Sequence, residues 1–146
     1  MIREHIGNHP ESNKKAICLI RFPASVRRPP LWLLAEITDF KQYKSARQVA
    51  AYAGLVPRER CSGSSVRGRT CLSKIGNARL RKALYFPAMT ALRCSGFFQQ
   101  WASGMRERSK SKMAVIGAAM RKLIHLAYGV LKTGMPFDPN WTAKAA

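Results

Sequence analysis

The sequence predicts a small, mainly α-helical domain with a Gly/Ser/Arg-rich loop or short β-ribbon and an irregular N-terminal leader. Three observations point there. Apolar residues recur at helical spacing, as in Leu80, Leu84 and Ala88 or Ile116, Met120, Leu123 and Ala127. End signals bracket these stretches: Ser45 and Asn77 stand as N-caps, Gly54 and Gly134 as terminators. Between two of them, Val56 to Ile75 is rich in Gly, Ser and Arg, residues that favour turns over helix.

Taken in order, residues 1–30 form the leader, punctuated by Pro10, Pro23, Pro29 and Pro30, with one short strand candidate at Ala16–Ile20. The domain proper is expected over 31–139, with 140–146 as a tail. Leu31, Leu34, Ala35 and Ile37 make a first apolar stripe, which stops at Thr38-Asp39. Ser45 opens the helix SARQVAAYAG, and Gly54 sits where a residue just past a helix end belongs. A further helix starts at Asn77, with Leu80, Leu84, Ala88, Ala91 and Leu92 on one face. Arg79, Arg81 and Lys82 crowd its start, against the macrodipole, and a bound anion would relieve that cost. Pro87 is expected to kink or divide this helix. A short segment, Phe97 to Met105, then leads through the basic linker RERSKSK to a last helix from about Ser111 to Lys132. Its buried face is read as Met113, Ile116, Met120, Leu123, Ile124, Ala127 and Leu131, and Gly134 and Pro136 end it. Trp32, Trp101 and Trp141 read as core or cap residues.

Composition narrows the function. The chain has 146 residues, 47% of them hydrophobic, which suits one domain with a real core. Lys and Arg outnumber Asp and Glu by 26 to 7, a net charge of +19. Such a surface repels itself unless it meets a polyanion, which argues against a small-molecule enzyme of ordinary charge. A charge or proline interrupts every apolar stretch before it reaches membrane-spanning length, and the N-terminus lacks the apolar segment of a secretory signal. Cys18, Cys61, Cys71 and Cys94 therefore read as reduced thiols. They form no zinc spacing with His5, His9 or His125, so no structural metal is expected.

The chemistry concentrates between Pro57 and Lys82. Arg58, Arg60, Arg67, Arg69, Lys74, Arg79, Arg81 and Lys82 stand there against one acid, Glu59. Guanidinium groups fork onto phosphate oxygens, and Gly and Ser let backbone N–H groups approach, so the stretch reads as a nucleic-acid-binding surface. Ser62, Ser64 and Ser65 lie among these cations. Positive charge would stabilise a pentacovalent phosphorus, but serines in Gly-rich loops also serve as turn-formers, and spacing does not single one out as a nucleophile. His125 falls at the edge of the last apolar stripe and reads as a packed histidine, not a base. The acids Glu4, Glu11, Glu36, Asp39, Glu59, Glu107 and Asp138 form no paired-carboxylate setting for metal-assisted phosphoryl transfer.

Three blocks occur in order: LLAEITDFKQYKSARQVAAYAGLVPRERCSGSS, RGRTCLSKIGNARLRKALY and AVIGAAMRKLIHLAYGVLKTGMPFDP. Together they span about three-quarters of the chain. They resemble the C-terminal domain of the insertion sequence 110/116/902 transposases, a family that includes Piv-type DNA invertases. The resemblance implies a DNA recombinase: a RuvC-like half holds four metal-binding acids and Mg²⁺, while this domain supplies a serine that links covalently to DNA. It also implies a structured guide RNA and residence with bacterial DNA in the cytoplasm. The serine of the family's SG motif falls on Ser62, with Ser64 and Ser65 next to it as the alternatives. The RuvC-like half has no counterpart in this sequence, and RFPASVRRPPLW stands where the family has a Gly-rich hairpin. An incomplete copy, inactive alone, is therefore expected, with a full-length transposase or a homo-oligomer as its protein partner. Two other readings stand beside it: a non-catalytic basic nucleic-acid-binding module, and a remnant without activity.

Overall fold

The computed structural model describes residues 42–58, 61–62, 66–67, 71–108 and 110–138. The expected leader, the stripe at Leu31–Ile37 and the tail lie outside them. What is described is four helices and a narrow antiparallel ribbon, in agreement with the expected mainly helical class.

Helix α1 (Ala46–Tyr52) is opened by Ser45, whose hydroxyl accepts from the Gln48 amide, while the Gln48 side chain accepts from the Lys44 amide at 2.8 Å. It ends as its sequence indicates. Gly54 takes φ +69°, its amide donates to Ala51, and the Leu55 amide donates to Ala50. These paired bonds are a Schellman closure, which a residue without Cβ adopts most readily.

The turn-rich stretch proves to be a ribbon. Strand β1 (Pro57–Arg58) pairs antiparallel with β4 (Cys71–Leu72), and β2 (Cys61–Ser62) pairs with β3 (Val66–Arg67). The two pairs are nested in sequence, β2 and β3 lying between β1 and β4.

Helix α2 (Ala78–Cys94) begins at Asn77, whose side-chain oxygen accepts from the amides of Arg79 at 2.9 Å and Leu80 at 3.0 Å. Pro87 does not divide it. Leu84 and Ala88 are buried on either side of the proline, so tertiary packing holds both halves in one helix despite the lost backbone bond. The segment expected to be short is a helix of 12 residues, α3 (Gly96–Glu107), which buries Phe98 and Ala102. Phe98 meets the rings of Phe97 and the half-buried Trp101 edge-on, and Phe97 meets Phe137.

Helix α4 (Lys112–Thr133) is capped by Ser111 and closed by Gly134. By length and composition it could cross a bilayer, but half of its apolar stretch is buried inside this domain. Ala119, Met120, Leu123, Ile124 and Ala127 join Leu80, Leu84, Ala88 and Ala91 of α2, and Val49 and Ala50 of α1, in one core. Met113 departs from the expected buried face: it is 64% exposed, its neighbours Lys112 and Ala114 are exposed too, and burial on α4 begins at Val115. The Tyr128 hydroxyl donates to the Tyr43 carbonyl at 2.8 Å and fastens the approach to α1 onto α4.

His125 lies half-buried on α4, and its Nε2 is enclosed with no hydrogen-bond partner among the described residues. Burial first, then the charges of Arg121 and Lys122 on α4 and Arg47 on α1, lower its pKa below the ordinary imidazole value. The unfolded chain accepts this proton near pH 6.5, whereas the folded chain resists it to lower pH. Below about pH 6.5 the unfolded state therefore binds more protons, and stability drops as pH falls through that window. Thermal unfolding followed between about pH 7.5 and pH 5 should show this loss, and His125→Gln should flatten it. Parallel profiles for the two proteins would mean that His125 titrates alike in the folded and unfolded states.

Candidate nucleic-acid interface

The ribbon leaves the helices through a tight junction between two segments far apart in sequence, Tyr52–Val56 and Ser73–Asn77. Backbone bonds join them: Ser73 donates to Val56 at 2.8 Å, Lys74 to Gly54 at 3.1 Å and Asn77 to Tyr52 at 2.7 Å. The Asn77 side-chain amide also donates to the Tyr52 hydroxyl at 3.2 Å. One asparagine thus caps α2 and ties it to the end of α1.

Two glycines let the backbones approach this closely. A Cβ on Gly54 would stand 2.6 Å from the Arg81 guanidinium and 2.8 Å from the Ile75 carbonyl oxygen. Gly76 has φ +131°, and a Cβ there would run into the Tyr52 carbonyl and the Gly54 amide. A third fastening comes from β4. Leu72 packs over Gly117 of α4, where an added Cβ would lie 3.0 Å from its methyl carbon. The ribbon is therefore anchored to α1, α2 and α4 at its base.

The structure distributes the expected site residues unevenly. Ser62 is in β2, its backbone in register with Val66, and Arg67 is in β3 opposite Cys61. Arg58 is exposed on β1, and Lys74 is exposed with a left-handed φ of +57° beside the junction. Arg79 and Lys82 are exposed on the first turns of α2. Arg81 faces inward: it is half-buried, and one guanidinium nitrogen donates to the Ala53 carbonyl at 3.1 Å. Arg60, Arg69, Ser64 and Ser65 lie outside the described residues.

Among the described residues the acids are Glu107 and Asp138, and no group of three or more His, Cys, Asp or Glu is placed to hold a metal ion. The local field is thus positive with little to offset it. Sequence reasoning did not single out Tyr52, Gly76 and Asn77 as a unit. The signal was present, since a glycine directly before an N-capping asparagine marks a backbone that must turn sharply into a helix.

The fold is a small helical domain with a cation-rich ribbon, and similarity to known proteins gives it a family. The chain belongs to the transposase IS116/IS110/IS902 family, whose family model matches residues 31–102. It is 35% identical over 130 residues to the pilin gene-inverting protein of Moraxella bovis, covering 88% of this chain and 40% of that protein. The pilin gene-inverting protein of Moraxella lacunata matches to the same extent. The transposase for insertion sequence element IS1328 of Yersinia enterocolitica is 29% identical over 143 residues, 94% of this chain and 42% of that one. The chain thus spans about two-fifths of the length of these relatives.

Proposed function

We propose that this chain is the DNA-binding, serine-nucleophile domain of an insertion-sequence transposase. The observation that carries the reading is the ribbon: in a chain of this family, Ser62 is on a strand pair nested within β1 and β4, whose ends are fastened to the helices. A rigid base and a cationic approach suit a group that must meet one phosphodiester among many. Arg58, Arg60, Arg67, Arg69, Lys74, Arg79 and Lys82 supply the phosphate contacts, while Arg81 serves both the junction and the field around it.

In the reaction, the Ser62 hydroxyl oxygen attacks phosphorus and a serine–phosphate bond forms. The bond to one sugar oxygen breaks, a base takes the serine proton, and a proton is returned to the sugar oxygen, which leaves as a hydroxyl. The family's chemistry relies on acids with Mg²⁺, and the described residues do not fit that role. We assign the base and the metal to a RuvC-like half, such as a full-length transposase carries, and the choice of target to a guide RNA.

A denaturing gel shift of labelled donor DNA tests the reading. The isolated chain with Mg²⁺ should give no covalent adduct. Adding a related full-length protein that carries its own serine→Ala change should give one, and Ser62→Ala in this chain should abolish it. An adduct that survives Ser62→Ala would move the nucleophile to Ser64 or Ser65. Duplex binding without any adduct in either setting would favour the non-catalytic module.

A further inference from the structure

The outer face of α2 continues beyond Arg79 and Lys82, the cations proposed above to meet phosphate, to two exposed residues that reading leaves unused, Phe86 and Arg93. Arg79, Lys82, Phe86 and Arg93 recur at helical spacing and, at 3.6 residues per turn, fall within about 60° of one another. They lie on the side away from the buried Leu80, Leu84, Ala88 and Ala91. All four are exposed, and Phe86 is 74% exposed, the highest exposure among the large hydrophobic residues described. Helix α2 contains no acidic residue. Phe86 sits midway along this stripe, seven residues from Arg79 and seven from Arg93, or about 10 Å along the axis in each direction.

We propose that this stripe extends the binding surface along α2 to unpaired DNA: Phe86 stacks a base while Arg93 on one side, and Arg79 and Lys82 on the other, hold the flanking phosphates. This rests on the DNA-binding reading above and adds to it a strand-separated ligand and a place for it. A lone ring between cations matches a ligand whose apolar faces alternate with negative charge, which describes a single nucleic-acid strand. A protein-docking face would instead present a cluster of apolar side chains depleted of charge at its centre. In a duplex the base faces are covered by stacking, so the ring has nothing to meet and only the cations engage. The ring is also braced from one side, since Tyr85 meets it edge-on at 5.6 Å and Pro87 follows directly in the helix. With Phe86 74% exposed, the rest of the ring stays accessible to a base.

The test compares binding of the full chain to labelled oligodeoxythymidylate and to a duplex of equal length, by fluorescence anisotropy. Phe86→Ala should weaken oligodeoxythymidylate binding by about 5- to 100-fold, the range for one base–aromatic stack, and change duplex binding by less than about twofold. Phe86→Trp, which keeps a ring, should retain single-strand binding. Arg93→Gln should weaken both ligands and reduce the salt dependence of each. Phe86→Ala is expected to keep the wild-type melting temperature because the side chain is exposed, and Phe86→Trp separates stacking from folding in any case. The proposal is overturned if Phe86→Ala changes neither ligand, or weakens both equally. It is also overturned if its effect is to dissociate a dimer seen by sedimentation while single-strand binding persists. Failure of the wild-type chain to bind the duplex would instead count against the DNA-binding reading itself.

Discussion

Gly76→Ala should cost about 3 kcal/mol or more of folding stability and release the ribbon from the end of α1. Two penalties combine at this position. With φ at +131°, the backbone lies where an L side chain is strained, which costs roughly 1–3 kcal/mol. The new Cβ would also press on the Tyr52 carbonyl and the Gly54 amide, both backbone groups that cannot rotate away. Overpacking of that kind adds about 1–3 kcal/mol. Relief would require Asn77 to move, and Asn77 holds both the Tyr52 carbonyl and the first turn of α2. Denaturant unfolding should therefore show a lower midpoint, and the amides of Lys74 and Asn77 should lose hydrogen-exchange protection. A wild-type midpoint with protected amides would show that the junction yields at little cost.

Leu123→Ala should cost about 2–5 kcal/mol, as large-to-small changes do in a packed core. Leu123 is 1% exposed and sits in the cluster shared by α1, α2 and α4. Its neighbours in that cluster include Leu84, Ala88 and Ile124, all on helices pinned elsewhere, so collapse around the cavity is limited. A domain of this size has only about 5–15 kcal/mol in total, so a large part of its stability is at stake. Thermal unfolding measures it. A melting temperature equal to wild type would mean that α4 turns a different face to α2.

Local signals carried much of the fold. Ser45, Asn77 and Gly134 mark helix ends because each meets the orphaned backbone groups of its own helix, within a few residues. The apolar period of α2 and α4 likewise announces a buried face before any partner is known. Pro87, Met113 and the Phe97–Met105 segment were less legible. Whether a proline interrupts a helix depends on the packing around it, and whether a methionine at the right spacing is buried depends on how far the neighbouring helices reach. Helix α3 lacks a side-chain cap bond at Ser95, so its start has no strong local signal.

The candidate site divides along the same line. The sequence by itself determined the chemistry available: a dense set of arginines and lysines, three serines in a Gly-rich stretch, and the order of blocks that marks the transposase family. Composition and local order are properties of the chain, so no folded partner is needed to read them. Only the tertiary structure decided which cations face outward and which turn in. Arg81 lies between Arg79 and Lys82 in sequence, yet it alone of the three reaches back to the Ala53 carbonyl, because the 3.6-residue period rotates it toward α1. The same rotation leaves Phe86 outside while Leu84 and Ala88 go in. A side chain's direction depends on what packs across from it, and that is settled when α1, α2 and α4 close on one another.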